Sequence, residues 1–210
     1  MIRLAVNEQL LISARRDASR TWSIGNEVLY DLCRKYPDHG NPRAVVAKVW
    51  LIGRAYSAAV ERSLKSPLEP DANQKFMRIA ALLKKSRLDA LLGQLPDAPE
   101  HIEDLAKSLA IHQCLLDAFA PIARTVPRSF ASKYLHFHSP PWFFIYDSVA
   151  SRGLARLVGR RRVPRALPLV GDPTYRTFIG RAWVVREELA AKSVSLSTRA
   201  LDCLLLRCGA

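Results

Sequence analysis

The chain contains no apolar run approaching the roughly 20 residues that cross a bilayer, and no apolar stretch follows Met1 as it would in an export signal. A membrane partner is therefore not expected, and a cytoplasmic location is. The four cysteines, Cys33, Cys114, Cys203 and Cys208, form no Cys-x-x-Cys pair and follow no regular spacing. Each falls in an apolar helical pattern, so the four read as buried free thiols, in keeping with a reducing compartment. Alternating apolar and polar residues bounded by turn signals are missing, which argues against strands. Internal repeats and low-complexity tracts are missing as well.

Acidic residues are the scarcest feature where it matters most. Between Asp117 and Asp172 the only carboxylate is Asp147, while nine cations fall in residues 118–171: Arg124, Arg128, Lys133, Arg152, Arg156, Arg160, Arg161, Arg162 and Arg165. That segment carries a net +8 of the +13 of the whole chain. By contrast, residues 1–40 hold six basic and five acidic groups. Positive charge gathered in one region suits contact with a polyanion; the alternative is a solvated basic face. The rest of the composition, 49% hydrophobic and 24% charged, is that of an ordinary globular protein. A length of 210 residues fits one domain, or one domain in two lobes.

Proline-marked turns divide the chain into about eight predicted helices, an all-α fold. Helical spacing of apolar residues predicts helices over 8–20, 23–36, 42–64, 72–92, 100–120, 129–138, 147–158, from Asp172-Pro173 onward, and 197–207. Pro37, Pro42, Pro67 and Pro70 bound the early ones, and Pro173 suits a first helical position. Residues 93–99 read as the clearest linker. The first and last helices are expected to meet, since the ends of compact domains often lie close together.

Asp147 sits at a predicted helix start, at the end of the run SFASKYLHFHSPPWFFIYD (129–147). One reading is an N-cap, whose side chain satisfies free backbone N–H groups. The other is a fixed anion that stabilises the positive charge developing on a sugar as a base departs, or orients a water toward that carbon. Lys133 reads as a phosphate clamp or an amine nucleophile, or else as a solvated helix lysine. The aromatics Tyr134, Trp142, Phe143, Phe144 and Tyr146 read as core or as a stacking platform for an extruded base. Trp142, beside two prolines, is the one expected at the surface. His136 and His138 are spaced i, i+2, which places them on different helix faces, so they read as pocket lining and not as metal ligands. Trp50, Arg54, Glu61 and Arg62 form a second cluster, either an ion-pair network or a pocket wall opposite Asp147.

The run from Ser132-Lys133 to Ile145-Tyr-Asp147-Ser-Val-Ala-Ser-Arg152 resembles the second half of the helix-hairpin-helix DNA glycosylases, the endonuclease III and 8-oxoguanine glycosylase group. The closing pattern Leu201-Asp202 with Leu204-Leu205 is similar to the tail of some members. The resemblance implies an all-α, two-lobed fold with a basic cleft. It also implies Asp147 as the catalytic aspartate and Lys133 as the catalytic lysine. Where that family has a glycine-rich hairpin, residues 121–132 have no glycine, and Arg124 and Arg128 would hold phosphate electrostatically instead. No iron–sulfur cysteine array is present.

The expectation is therefore a monomeric base-excision enzyme without cofactor or metal, with DNA as its favoured nucleic-acid partner. Arg124, Arg128, Arg152, Arg156 and Arg160, Arg161 and Arg162 would grip DNA. Tyr134, His136, His138, Trp142, Trp50 and Arg54 would line the base pocket. Two other readings stay open: a non-enzymatic nucleic-acid-binding module, and a nuclease or RNA-directed toxin that uses the histidines as acid and base.

Overall fold

A computed structural model describes residues 6–20, 23–65, 71–158 and 163–210. Among the described residues the fold is all-α: ten α-helices, two 3₁₀ turns and no strand. The helices are α1 (Glu8–Arg20), α2 (Ser23–Lys35), α3 (Pro42–Ala55), α4 (Ala72–Lys85), α5 (Leu88–Leu92), α6 (Leu105–Phe119), α7 (Arg128–His138), α8 (Ser148–Val158), α9 (Pro173–Ala190) and α10 (Thr198–Gly209).

The count is slightly higher than expected, and two long predicted helices are broken: one ends early and resumes as a 3₁₀ turn, the other splits into α4 and α5. The stretch from Pro42 stops at Ala55 instead of reaching Leu64. Ser57 takes a left-handed conformation, φ 51°, and the chain doubles back so that a Cβ on Gly53 would lie 3.2 Å from the Ala59 Cα. It resumes as a 3₁₀ turn at Val60–Ser63. The second break is at Ser86, whose Oγ donates to the Leu83 carbonyl at 2.7 Å and accepts from the Leu88 N–H at 3.3 Å. A side chain that bonds to its own backbone in this way competes with helix continuation. Elsewhere the starts follow capping chemistry: Asn41 accepts from the Arg43 and Ala44 N–H groups, Asp172 from Tyr175 and Ser197 from Ala200.

Two apolar cores result. One takes its residues from α2 to α7 and includes Leu29, Val49, Ile52, Ile79, Leu115, Phe119, Phe130 and Trp142. The other takes them from α1, α8, α9 and α10, with Leu105 and Leu109 of α6, and includes Leu154, Tyr175, Ile179, Val185 and Leu204. Phe143 belongs to the first core and Phe144 to the second. The division therefore falls inside the loop that leads to Asp147. Within residues 93–99, Leu95 packs on the first core, the Pro96 carbonyl accepts from the Trp142 indole at 2.7 Å, and the Pro99 carbonyl accepts from Arg186 of α9 at 3.4 Å. The first and last described helices, α1 and α10, do pack against each other.

The tightest packing is between α8 and α10. A Cβ on Gly153 would lie 1.9 Å from the Leu205 carbonyl oxygen, and one on Gly209 would lie 2.0 Å from that of Val149. Only glycine lets the two backbones approach this closely. A Gly153→Ala variant is expected to lose stability by about 1–3 kcal/mol through overpacking, read as a lower urea midpoint. An unchanged midpoint would show that the two helices separate without cost.

Candidate active site at the junction of the two cores

Lys133 lies on α7 and is almost fully buried, with 4% of its surface exposed. Its Nζ donates to Ser129 Oγ at 2.8 Å and to the Tyr56 carbonyl at 3.3 Å. That carbonyl is available because α3 ends one residue earlier. Lys133 Nζ also lies 3.8 Å from Asp147 Oδ2. The residue before it does separate work: Ser132 Oγ accepts from the Tyr146 N–H at 3.0 Å. Ser132 therefore fixes the backbone beside Asp147, and Lys133 meets the side chain.

Asp147 fulfils the capping reading with one oxygen and faces Lys133 with the other. Oδ1 accepts from the Ala150 N–H at 2.8 Å and caps α8, while Oδ2 faces the lysine. A cap bond fixes the rotamer, so the second oxygen is held in place. Burial pulls the Lys133 ammonium below its ordinary pKa; Asp147 and Asp202 oppose this and Arg199 adds to it.

The sequence reading passed over Arg199 and Asp202 of α10 as site residues. Arg199 Nη1 bonds Asp202 Oδ2 at 2.6 Å, and its guanidinium lies 5.9 Å from the Tyr56 ring centre. Asp202 is buried, with Oδ1 unpartnered, and Arg199 Nε is buried and unpartnered too. Burial pushes the Asp202 carboxyl up to about 7 in spite of Arg199, and Asp147 pushes it the same way. The available signal was a lone acid in the apolar run Leu201-Asp-Cys-Leu-Leu-Leu. Tyr30 of α2 and Tyr56 close the cluster: the Tyr30 hydroxyl pairs with His136 Nε2 at 2.8 Å, and the Tyr56 hydroxyl donates to Asn26.

Open space flanks this centre. A cavity of ≈ 300 Å³ is walled by Ser57, Ala58, Val60 and residues 126–130, with Tyr146. A second, of ≈ 480 Å³, lies between Tyr146, Ser151, Thr174, Thr177, Phe178 and Arg181. Ser129 and Tyr146, the neighbours of Lys133 and Asp147, line the first cavity; the lysine and the aspartate do not.

The predicted base-pocket residues separate. Tyr134 is fully buried and its hydroxyl pairs with His39 Nε2 at 2.8 Å. His138 stacks on His39, ring centres 5.4 Å apart, with Nε2 3.3 Å from the buried Lys48 Nζ. His136 is buried, and its Nδ1 faces the Phe143 carbonyl at 2.9 Å. Trp142 corrects an expectation: its two flanking prolines suggested the surface, yet it is 1% exposed because its indole N–H finds the Pro96 carbonyl. Trp50 is half-exposed on α3, and Arg54 pairs with Glu61 at 3.5 Å.

Several predicted DNA-gripping arginines carry structural bonds. Arg128 Nε binds Asp172 at 2.7 Å. Arg152 donates to the Gly209 carbonyl at 3.2 Å, and Arg156 to those of Cys208 at 2.6 Å and Ala210 at 2.8 Å. These two cap the negative end of α10 from one face of α8. Arg152, Arg156 and Arg124 remain exposed. Arg160, Arg161 and Arg162 lie outside the described residues. Among the described residues, no group of three or more His, Cys, Asp or Glu is placed to hold a metal ion, and no helix is long and apolar enough to cross a membrane.

Compared with known protein families, with curated proteins and with solved structures, the chain finds no match.

Stability should report the buried groups. His39, His112, His136 and His138 are all held below their ordinary pKa by burial. The unfolded chain binds more protons at these sites, so their effect is stability rising with pH up to about 6.5. Asp202 acts oppositely. Its folded pKa of about 7 exceeds the unfolded value near 3.8, so its contribution is present at low pH and is lost as pH rises through 7. Relative to Asp202→Asn, the wild type should lose on the order of 3 kcal/mol between pH 4 and pH 8. Urea unfolding of both proteins at several pH values measures this; parallel curves would contradict it.

Proposed function

We propose that the protein is a DNA-binding base-excision enzyme that cleaves the N-glycosidic bond of an extruded base. The observation that carries this reading is the buried Lys133 amine 3.8 Å from an Asp147 carboxylate that is itself fixed by a helix cap. An amine kept from water, beside a carboxylate able to take its proton, is suited to attack a sugar carbon. Asp147 accepts a proton from Lys133, and the freed lone pair forms a bond to C1′. The C1′–N bond to the base breaks, and the base leaves with the bonding pair. When the second N–H proton passes to the ring oxygen, the sugar opens to an imine on the lysine. In the alternative hydrolytic course, Asp147 orients a water to the same carbon and stabilises the positive charge developing there. Cavities on either side of Tyr146 give room for nucleotide approach, and exposed Arg124, Arg152 and Arg156 supply attraction for phosphate.

The test is base release from duplex oligonucleotides that carry a panel of damaged and mismatched bases. Asparagine is as good an N-cap as aspartate, so Asp147→Asn should keep the fold while lowering release at least ~100-fold. Borohydride should trap the wild type, but not Lys133→Gln, on DNA with an abasic site. Full release by the Asp147→Asn protein on every substrate the wild type cleaves would rule out this reading.

A further inference from the structure

A cavity of ≈ 380 Å³ lies between α1, α2 and the start of α10, and its polar lining is Arg15, Ser19, Tyr30, Ser195, Ser197 and Arg199. Among the described residues, no carboxylate lines it. The cavity beside Pro127 differs, since Asp117 and Asp172 are in its wall, and so does the one beside Pro37, which has Asp38 and Asp89. Guanidiniums and hydroxyls without an acid among them favour an anion. The volume is in the range of small-molecule pockets, roughly 300–1,000 Å³, so an anion fits together with the organic group that carries it.

Both guanidiniums are held in place, and neither is saturated. Arg15 Nη2 donates to the Ser195 carbonyl at 3.0 Å. Among the described residues Arg15 pairs with no carboxylate, and a carbonyl orients a guanidinium without cancelling its charge. Arg199 is anchored to the core: Nη1 binds Asp202 Oδ2 at 2.6 Å, and the group lies 5.9 Å from the Tyr56 ring centre. Its side chain is only 14% exposed, and its Nε is buried with no acceptor. Buried donors are rarely left so, and an oxygen brought by a ligand would satisfy this one.

The backbone adds a third source of donors. Ser197 Oγ accepts from the Ala200 N–H at 3.1 Å, and the Ser197 carbonyl accepts from the Leu201 N–H at 2.9 Å. The N–H groups of Thr198 and Arg199 find no acceptor among the described residues. They sit at the end of α10 that borders the cavity, which is also the positive end of its dipole. We infer that this cavity is a binding site for a phosphate group. Guanidiniums from two helices, serine hydroxyls and backbone N–H groups serve oxygens in several directions, as a tetrahedral anion requires. A planar carboxylate would leave some of these donors unpaired. The phosphate belongs either to a phosphorylated small molecule or to the backbone of a nucleic acid. The inference needs neither Lys133 nor Asp147, so it stands apart from base excision.

The experiment is an NMR titration of ¹⁵N-labelled protein at constant ionic strength, with inorganic phosphate in one arm and an unphosphorylated single-stranded DNA oligomer in the other. The backbone N–H signals of Thr198 and Arg199, and the Arg199 Nε–H signal, should move and saturate. Saturation with phosphate but not with the oligomer assigns the site to a small phosphorylated ligand. Saturation with the oligomer at lower concentration assigns it to a nucleic-acid backbone. Arg15→Gln, a change at an exposed position, should weaken binding roughly tenfold. Arg16→Gln removes the exposed neighbouring charge that does not line the cavity and should leave binding within about twofold. Ser197→Gly keeps a good helix cap and removes a hydroxyl, so it should weaken binding without unfolding α10. The absence of saturable shifts in both arms overturns the proposal, as does equal weakening by Arg15→Gln and Arg16→Gln. Phosphate binding here without base release would leave this site standing and remove the enzymatic reading; base release with unmoved α10 signals would do the reverse.

Discussion

The contact between α8 and α10 sets the rest. At Gly153 and Gly209 the two backbones come closer than any side chain would allow. That approach puts the start of α8, with Asp147, beside the α10 face that carries Arg199 and Asp202. Arg152 and Arg156 then reach from α8 over the last carbonyls of α10 and tie the same two helices at their far end. Packing, capping and the placement of charge thus follow from two residues that lack a side chain. The packed pair in turn presents its charged end to α7, where Lys133 is waiting with its amine directed at Asp147 by Ser129 and Tyr56.

Much of this architecture was legible in the chain. Apolar spacing located every long helix, and proline and Asp-Pro signals located several of their starts. The two broken helices were not legible, because their breaks depend on local bonds and close approaches: the left-handed turn at Ser57, the fold-back onto Gly53, and the Ser86 side chain competing for backbone groups. Periodicity registers only which face is apolar, and that face continues across both breaks.

The candidate site was legible in part. Lys133 and Asp147 were singled out by charge context, and the structure brings them within 3.8 Å of each other. Arg199 and Asp202 carry little signal in the sequence, since an i, i+3 ion pair on a helix usually lies on its solvent face; here Asp202 is buried. The basic run was legible as charge but not as geometry. Composition counts an arginine that caps a helix end and an arginine that awaits a polyanion as the same. Trp142 failed for a related reason: neighbouring prolines signal a turn, and a turn can fold its aromatic inward when a carbonyl such as that of Pro96 receives the indole N–H.

Phe143 and Phe144 are consecutive, yet each is rooted in a different core. The peptide between them is where one half of the molecule hands the chain to the other. Asp147 follows three residues later, whereas Lys133 belongs to α7, on the near side of that crossing. The 3.8 Å approach of carboxylate to amine therefore spans the boundary between the two cores. A three-residue tether from Phe144 to Asp147 thus carries the carboxylate of one core to the amine held by the other.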